Sequence, residues 1–73
     1  MSNPDWEIQP EIGQIISQVS QEHPIEAREA VNDIATLKNF FNKYGAFDAL
    51  VLLENSPHLQ DIIKRLVLEV ANR

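Results

Sequence analysis

Apolar residues recur along this chain at helical spacing from residue 10 onward. Ile12, Ile15, Ile16 and Val19 fall at i, i+3, i+4 and i+7, a narrow stripe opposite Gln14, Ser17, Gln18 and Gln21. The stripe predicts a first helix from Pro10, whose fixed φ suits the first helical position, to about Glu22. Gly13 weakens that helix by about 1 kcal/mol relative to alanine, so it needs a neighbour to form. His23-Pro24 then interrupts the pattern. A second helix is predicted from Pro24 to Tyr44, where Ala27, Ala30, Ile34, Leu37, Phe41 and Tyr44 recur in alternating steps of three and four. This is a heptad-like seam, with Val31 beside it. Glu26 in its first turn and Lys43 in its last suit the helix dipole, and Gly45 reads as a left-handed C-terminal cap.

A third helix is predicted over Ala46 to Glu54. Phe47, Ala49, Leu50, Val51, Leu52 and Leu53 cover nearly its whole circumference, which marks a short central helix sandwiched between others. Asn55-Ser56-Pro57 supplies a stop, an N-cap and a first-turn proline for a fourth helix running to about Asn72. Leu59, Ile62, Ile63, Leu66, Val67 and Val70 form its inner stripe, with Asp61, Lys64, Arg65 and Glu69 outside. Residues 1–9, bracketed by Pro4 and Pro10 and carrying Trp6 and Ile8, read as an extended arm. The chain is therefore expected to be all-α: a small four-helix bundle-like domain over residues 10–73, with short links between antiparallel neighbours. It becomes a three-helix domain if the second and third helices run on through Gly45.

Composition narrows the means of stabilising such a domain. A chain of 73 residues makes one domain and buries a small core. With no cysteine, it has neither disulfides nor thiolate zinc sites, so dense helix packing or self-association has to supply its stability. The formal net charge of -5 is unevenly placed. Through Ala35 there are seven acids and one base; from Thr36 onward there are four acids and five bases. A field of that sign repels phosphate backbones. The first five residues carry neither the basic nor the apolar part of a signal peptide. The longest purely apolar run, Ala49 to Leu53, is too short to span a bilayer. The expectation is a cytoplasmic protein with no membrane partner.

Candidate chemistry is sparse. His23 beside Glu22 and Glu26 is the nearest approach to a metal cluster, but short-range helix caps look the same, and no cofactor or metal is expected. Glu22, Glu26, Glu29 and Asp33 include i+3 and i+4 neighbours on one predicted helix. Acid–base catalysis needs carboxylates enclosed enough to shift their pKa values. The flanking Arg28, Asn32 and Thr36 mark instead a wet, acidic face, and no enzyme activity is expected. The third and fourth helices, joined by Asn55-Ser56-Pro57, imitate a helix-turn-helix. The residues they would offer to base edges are His58, Gln60, Asp61, Lys64 and Arg65, a thin set for reading bases.

Apolar residues out of place are more informative. At about 100° per residue, Leu68 points opposite the fourth helix's inner stripe, Phe40 lies among Glu29, Asp33 and Thr36, and Leu52 faces away from Leu50 and Leu53. Trp6 adds an aromatic anchor on the arm. Trp6, Phe40, Leu52 and Leu68 are thus candidate partner-binding residues, and the expected function is a small non-enzymatic protein-interaction module, an adaptor, inhibitor or assembly factor, that forms a homodimer. The alternative is an acidic regulator, of antitoxin or anti-defence inhibitor type, that blocks a basic nucleic-acid-binding partner. A helix-turn-helix DNA-binding protein is the third reading. The acidic field sets the first test: the chain should give no gel shift with random duplex at low salt, and a complex that weakens steeply with added salt would restore the third reading.

Overall fold

A computed structural model describes residues 8–73, and its five helices are α1 (Pro10–Glu22), α2 (Pro24–Ala30), α3 (Ile34–Lys43), α4 (Phe47–Asn55) and α5 (Pro57–Ala71). The domain is all-α and bundle-like, as the apolar spacing predicts, with one more helix than counted from sequence. Residues 1–7, including Trp6, lie outside the described residues. Ile8, assigned to the arm, is 3% exposed and belongs to the core. In α1, Ile16 and Val19 are buried while Ile12 and Ile15 pack against them half-covered. Ser20 is buried too, its hydroxyl donating to the Ile16 carbonyl at 2.7 Å.

The predicted continuous helix from Pro24 to Tyr44 is in fact two. Val31 caps the end of α2 at φ -72 and ψ -9, and Asp33 is extended at φ -149 and ψ 133. The Asp33 carboxylate accepts the Ala35 N–H at 3.2 Å and so caps α3. Asn and Asp side chains compete with the helix for backbone partners, and here two in succession stop one helix and start the next. The heptad-like seam survives the break, because Ala27 and Ala30 of α2 and Leu37 and Phe41 of α3 all enter the same core. The break frees α2 to lie on α5 while α3 turns to α4. Arg28 bolts the first of these contacts, its guanidinium donating at 2.9 Å to the Ala71 carbonyl at the end of α5. That carbonyl has no partner within its own helix, so the side chain completes the C-terminus.

Phe40, expected on the partner-binding surface, lies inside. Counted along an unbroken helix it falls among Glu29, Asp33 and Thr36, but on α3 itself it lies one turn from both Leu37 and Tyr44 and so widens the seam. Phe40 is 2% exposed, with its ring 5.6 Å from Phe41 and 5.2 Å from Tyr44 between centroids. It is a core residue.

Gly45 ends α3 and settles the choice against the three-helix arrangement. Its φ is +79, in the left-handed region. The Gly45 N–H donates to Asn42 at 3.4 Å and the Ala46 N–H to Phe41 at 2.8 Å, the paired bonds of a Schellman cap. Ala46 and Phe41, the residues this cap brings together, are both buried.

The third predicted helix is real, as α4, but it is not sandwiched. Ala49 and Leu53 are buried and Leu50 and Leu52 half-covered, whereas Phe47 is 58% and Val51 50% exposed. Leu52, expected to face away, packs against the core edge, because α1, α3 and α5 all touch α4 and cover a wide arc of it. The opposite arc stays open. Ser56 caps α5 through its hydroxyl, which accepts from the Leu59 N–H at 3.4 Å. Gln60 reaches back to donate to the Leu53 carbonyl at 2.9 Å. Ile62, Ile63, Val67, Val70 and Ala71 are buried along α5, and Leu68 stands outward at 36% exposure.

The two glycines should respond to alanine with opposite signs. Gly13→Ala places a Cβ with no atom within 4 Å in a helix interior and is expected to stabilise by about 0.5–1 kcal/mol. Gly45→Ala forces a side chain to positive φ and is expected to cost about 1–2 kcal/mol. Urea midpoints of the two variants against wild type check both signs.

Candidate functional site

Two surfaces collect the candidate residues. The first is an open cleft at the α1–α2 junction, lined by Glu22, His23, Ile25, Glu26, Glu29 and Thr36 among others. Pro24 sets the start of α2 directly after the α1 cap at His23, which brings Glu22 and the first turn of α2 to one place. The His23 ring stacks on Tyr44 of α3 with centroids 3.9 Å apart and planes 16° from parallel. The Tyr44 hydroxyl donates to Oε1 of Glu26, and Lys43 Nζ lies 3.3 Å from Oε2. Lys43 also sits 5.3 Å from the centre of the Tyr44 ring.

These contacts clasp α2 to α3, and they set the charges. The Tyr44 hydrogen bond, helped by Lys43, holds the Glu26 carboxyl below its ordinary range. The same bond raises the Tyr44 hydroxyl, and Glu26 raises Lys43. A carboxylate kept ionised and already bonded twice is a structural anchor. It is poorly placed to act as a general acid.

Of the four acidic candidates, the fold brings Glu22, Glu26 and Glu29 to this cleft and leaves Asp33 apart as the cap of α3. Among the described residues no three of His, Asp or Glu are grouped so as to hold a metal ion. Likewise no helix there is long and apolar enough to cross a membrane. Ile25, at 67% exposure, stands at the cleft as its apolar feature.

The second set lies on the outward sides of two helices in contact, α4 and α5. Phe47 and Val51 are one turn apart on α4, with the exposed Asp48 and Glu54 to either side and Leu50 and Leu52 as half-buried shoulders. On α5, Leu68 lies one turn beyond Lys64 and Arg65, with Lys64 4.0 Å from Asp61. Of the apolar candidates read from sequence, Leu68 is in this set, Leu52 is at its edge and Phe40 is inside. Ile25, Phe47 and Val51 were missed. A signal for the α4 pair does exist: Ala46 and Ala49 share a stripe with Leu53, and small residues mark the side on which helices approach closely. The opposite stripe, Phe47 and Val51, is then the outer one.

The clasp gives a pH dependence of definite sign. Glu26 is lowered from 4.5, so its contribution is complete above that pH and is lost as pH falls through the lower folded-state value. Tyr44 is raised from 10.0, so its share is complete below that pH and fades as pH rises beyond it. Glu26→Gln is expected to flatten the acid limb of stability, read from urea midpoints across pH 3–7, roughly the carboxylate range. An acid limb as steep as that of wild type would show that Glu26 contributes nothing.

No family model, curated protein or solved structure matches this chain, so its two surfaces carry the functional argument.

Proposed function

We propose that this chain is a small protein-interaction module that works by docking the outer face of α4 on another protein chain, without a catalytic centre. One observation carries the reading. Phe47 and Val51 stand 58% and 50% exposed, one turn apart, on a helix whose opposite face closes the core with Ala49 and Leu53. A domain this small has few large apolar residues to spare, and covering the exposed half of each is worth about 1–1.5 kcal/mol. Interfaces are anchored by aromatic and aliphatic groups of this kind, with charges kept to the rim, where Asp48 and Glu54 lie.

A second reading, the acidic regulator that covers a basic surface, is favoured by Ile25 standing exposed between Glu22 and Glu29. It differs in its dependence: such binding falls steeply with salt and is indifferent to Phe47 and Val51.

Site-specific photo-crosslinking in the source cells tests the first reading. A benzoyl-phenylalanine at Val51 is expected to give a discrete protein adduct that the same group at the exposed Gln14 does not. Equal, background-level crosslinking at both positions ends the proposal.

A further inference from the structure

We infer that the occupant of the α4 face is a second copy of this chain, in a two-fold contact that lays each α4 on the partner's α5. The inference rests on the interaction-module reading and goes beyond it by naming the partner and the register. Charge decides between the possible self-contacts. The open face of α4 carries Asp48 and Glu54 beside Phe47 and Val51, and α4 has no basic residue. Pairing α4 with the partner's α4 gathers four carboxylates around an apolar strip. The outward side of α5 is mixed, with Asp61 and Glu69 among Lys64, Arg65 and Leu68, but Glu69 is held by Arg73 at 3.4 Å, which leaves the basic pair beside Leu68 as the complement. Lys64 is partly engaged by Asp61 at 4.0 Å. Among the described residues Arg65, Asp48 and Glu54 take part in no ion pair, so these three charges are available to an incoming surface.

The fold also supplies what reciprocity demands. A two-fold contact uses one surface patch of each subunit, so if α4 lies on α5 then both must belong to that patch. Here they are consecutive helices joined by Ser56 alone and tied by the Gln60 hydrogen bond to Leu53. Each contact then occurs twice, opposing Phe47 and Val51 to Leu68, and Asp48 and Glu54 to Lys64 and Arg65. The apolar residues supply affinity, and the charges select α4-on-α5 over α4-on-α4.

Sedimentation equilibrium of the full chain, with mixed variants, tests this. Wild type is expected to dimerise in the micromolar range, and Val51→Lys to weaken the dimer at least about tenfold with its helicity kept. Two charge variants make the test independent of any folding defect in Val51→Lys. Asp48→Lys with Glu54→Lys, and Lys64→Glu with Arg65→Glu, each reverse one side of the contact and are expected to be monomeric alone. Mixed in equal amounts they restore both contacts and are expected to form a one-to-one dimer. A wild type that stays monomeric to about 500 µM overturns the inference. So does wild-type-like dimerisation of either charge variant, or folded variants that fail to associate when mixed. If monomeric wild type still crosslinks through Val51 to a different protein, the second-copy inference falls and the interaction-module reading stands. If that adduct is missing as well, both fall.

Discussion

A chain of 73 residues without cysteine has to close its core without a covalent cross-link, and the arrangement of its helices follows from that constraint. Few large side chains are available, so they must be used from several directions at once. Phe41, Ile16, Leu37, Leu53, Ile63 and Val67, contributed by four different helices, are all essentially without solvent contact. The space between them is closed by alanines. Ala27, Ala30, Ala46, Ala49 and Ala71 are buried at helix contacts, where a small side chain lets backbones approach closely. Five short helices surround such a core more completely than four longer ones, and this is the role of the break at Val31-Asn32-Asp33.

The polar contacts serve the same closure. Helices of seven to fifteen residues have a large share of their backbone groups at termini, where intrahelical partners run out. Asp33 and Ser56 cap the starts of α3 and α5, Gly45 allows the tight cap that ends α3, and Arg28 completes the end of α5 from a different helix. Among the described residues no buried side-chain nitrogen or oxygen lacks a partner. The Glu26–Tyr44–Lys43 contacts sit at the outer edge of this framework. They join α2 to α3 across the break that separated them, with His23 stacked on the same tyrosine.

A core closed by so few residues leaves the outer arc of α4 uncovered, and the proposed function grows from that. Phe47 and Val51 would be ordinary core residues in a larger domain. Here the arc of α4 that bears them faces solvent. The charge asymmetry read along the chain also changes meaning once folded. The acidic half contributes Glu22 and Glu29 to one cleft, while the basic residues of the C-terminal half include the Lys64 and Arg65 pair beside Leu68. An exposed apolar residue stands beside each of these charged groups, Ile25 at the cleft and Leu68 on α5.

Much of the fold is legible in local pattern. The 3.6-residue periodicity locates α1 and α5 almost to the residue, and Pro10, Pro57, Ser56 and Gly45 mark boundaries because each acts through its own backbone geometry or its nearest amide. These effects are short-range, so one sequence is enough to see them. The split at residue 31 was missed although Asp33 is a local N-cap signal, because the seam from Ala27 to Tyr44 keeps its apolar spacing across the break, and the packing of α2 on α5 adds to what the cap supplies. The orientation of α4 was legible only faintly, in the stripe of Ala46, Ala49 and Leu53. A helix apolar on every side has no preferred face until its neighbours choose one, and α1, α3 and α5 choose the side of Ala49 and Leu53. Phe47 and Val51 turned outward for that reason. Periodicity sets the angle between residues on one helix, while tertiary contact alone sets the angle of that helix to the core.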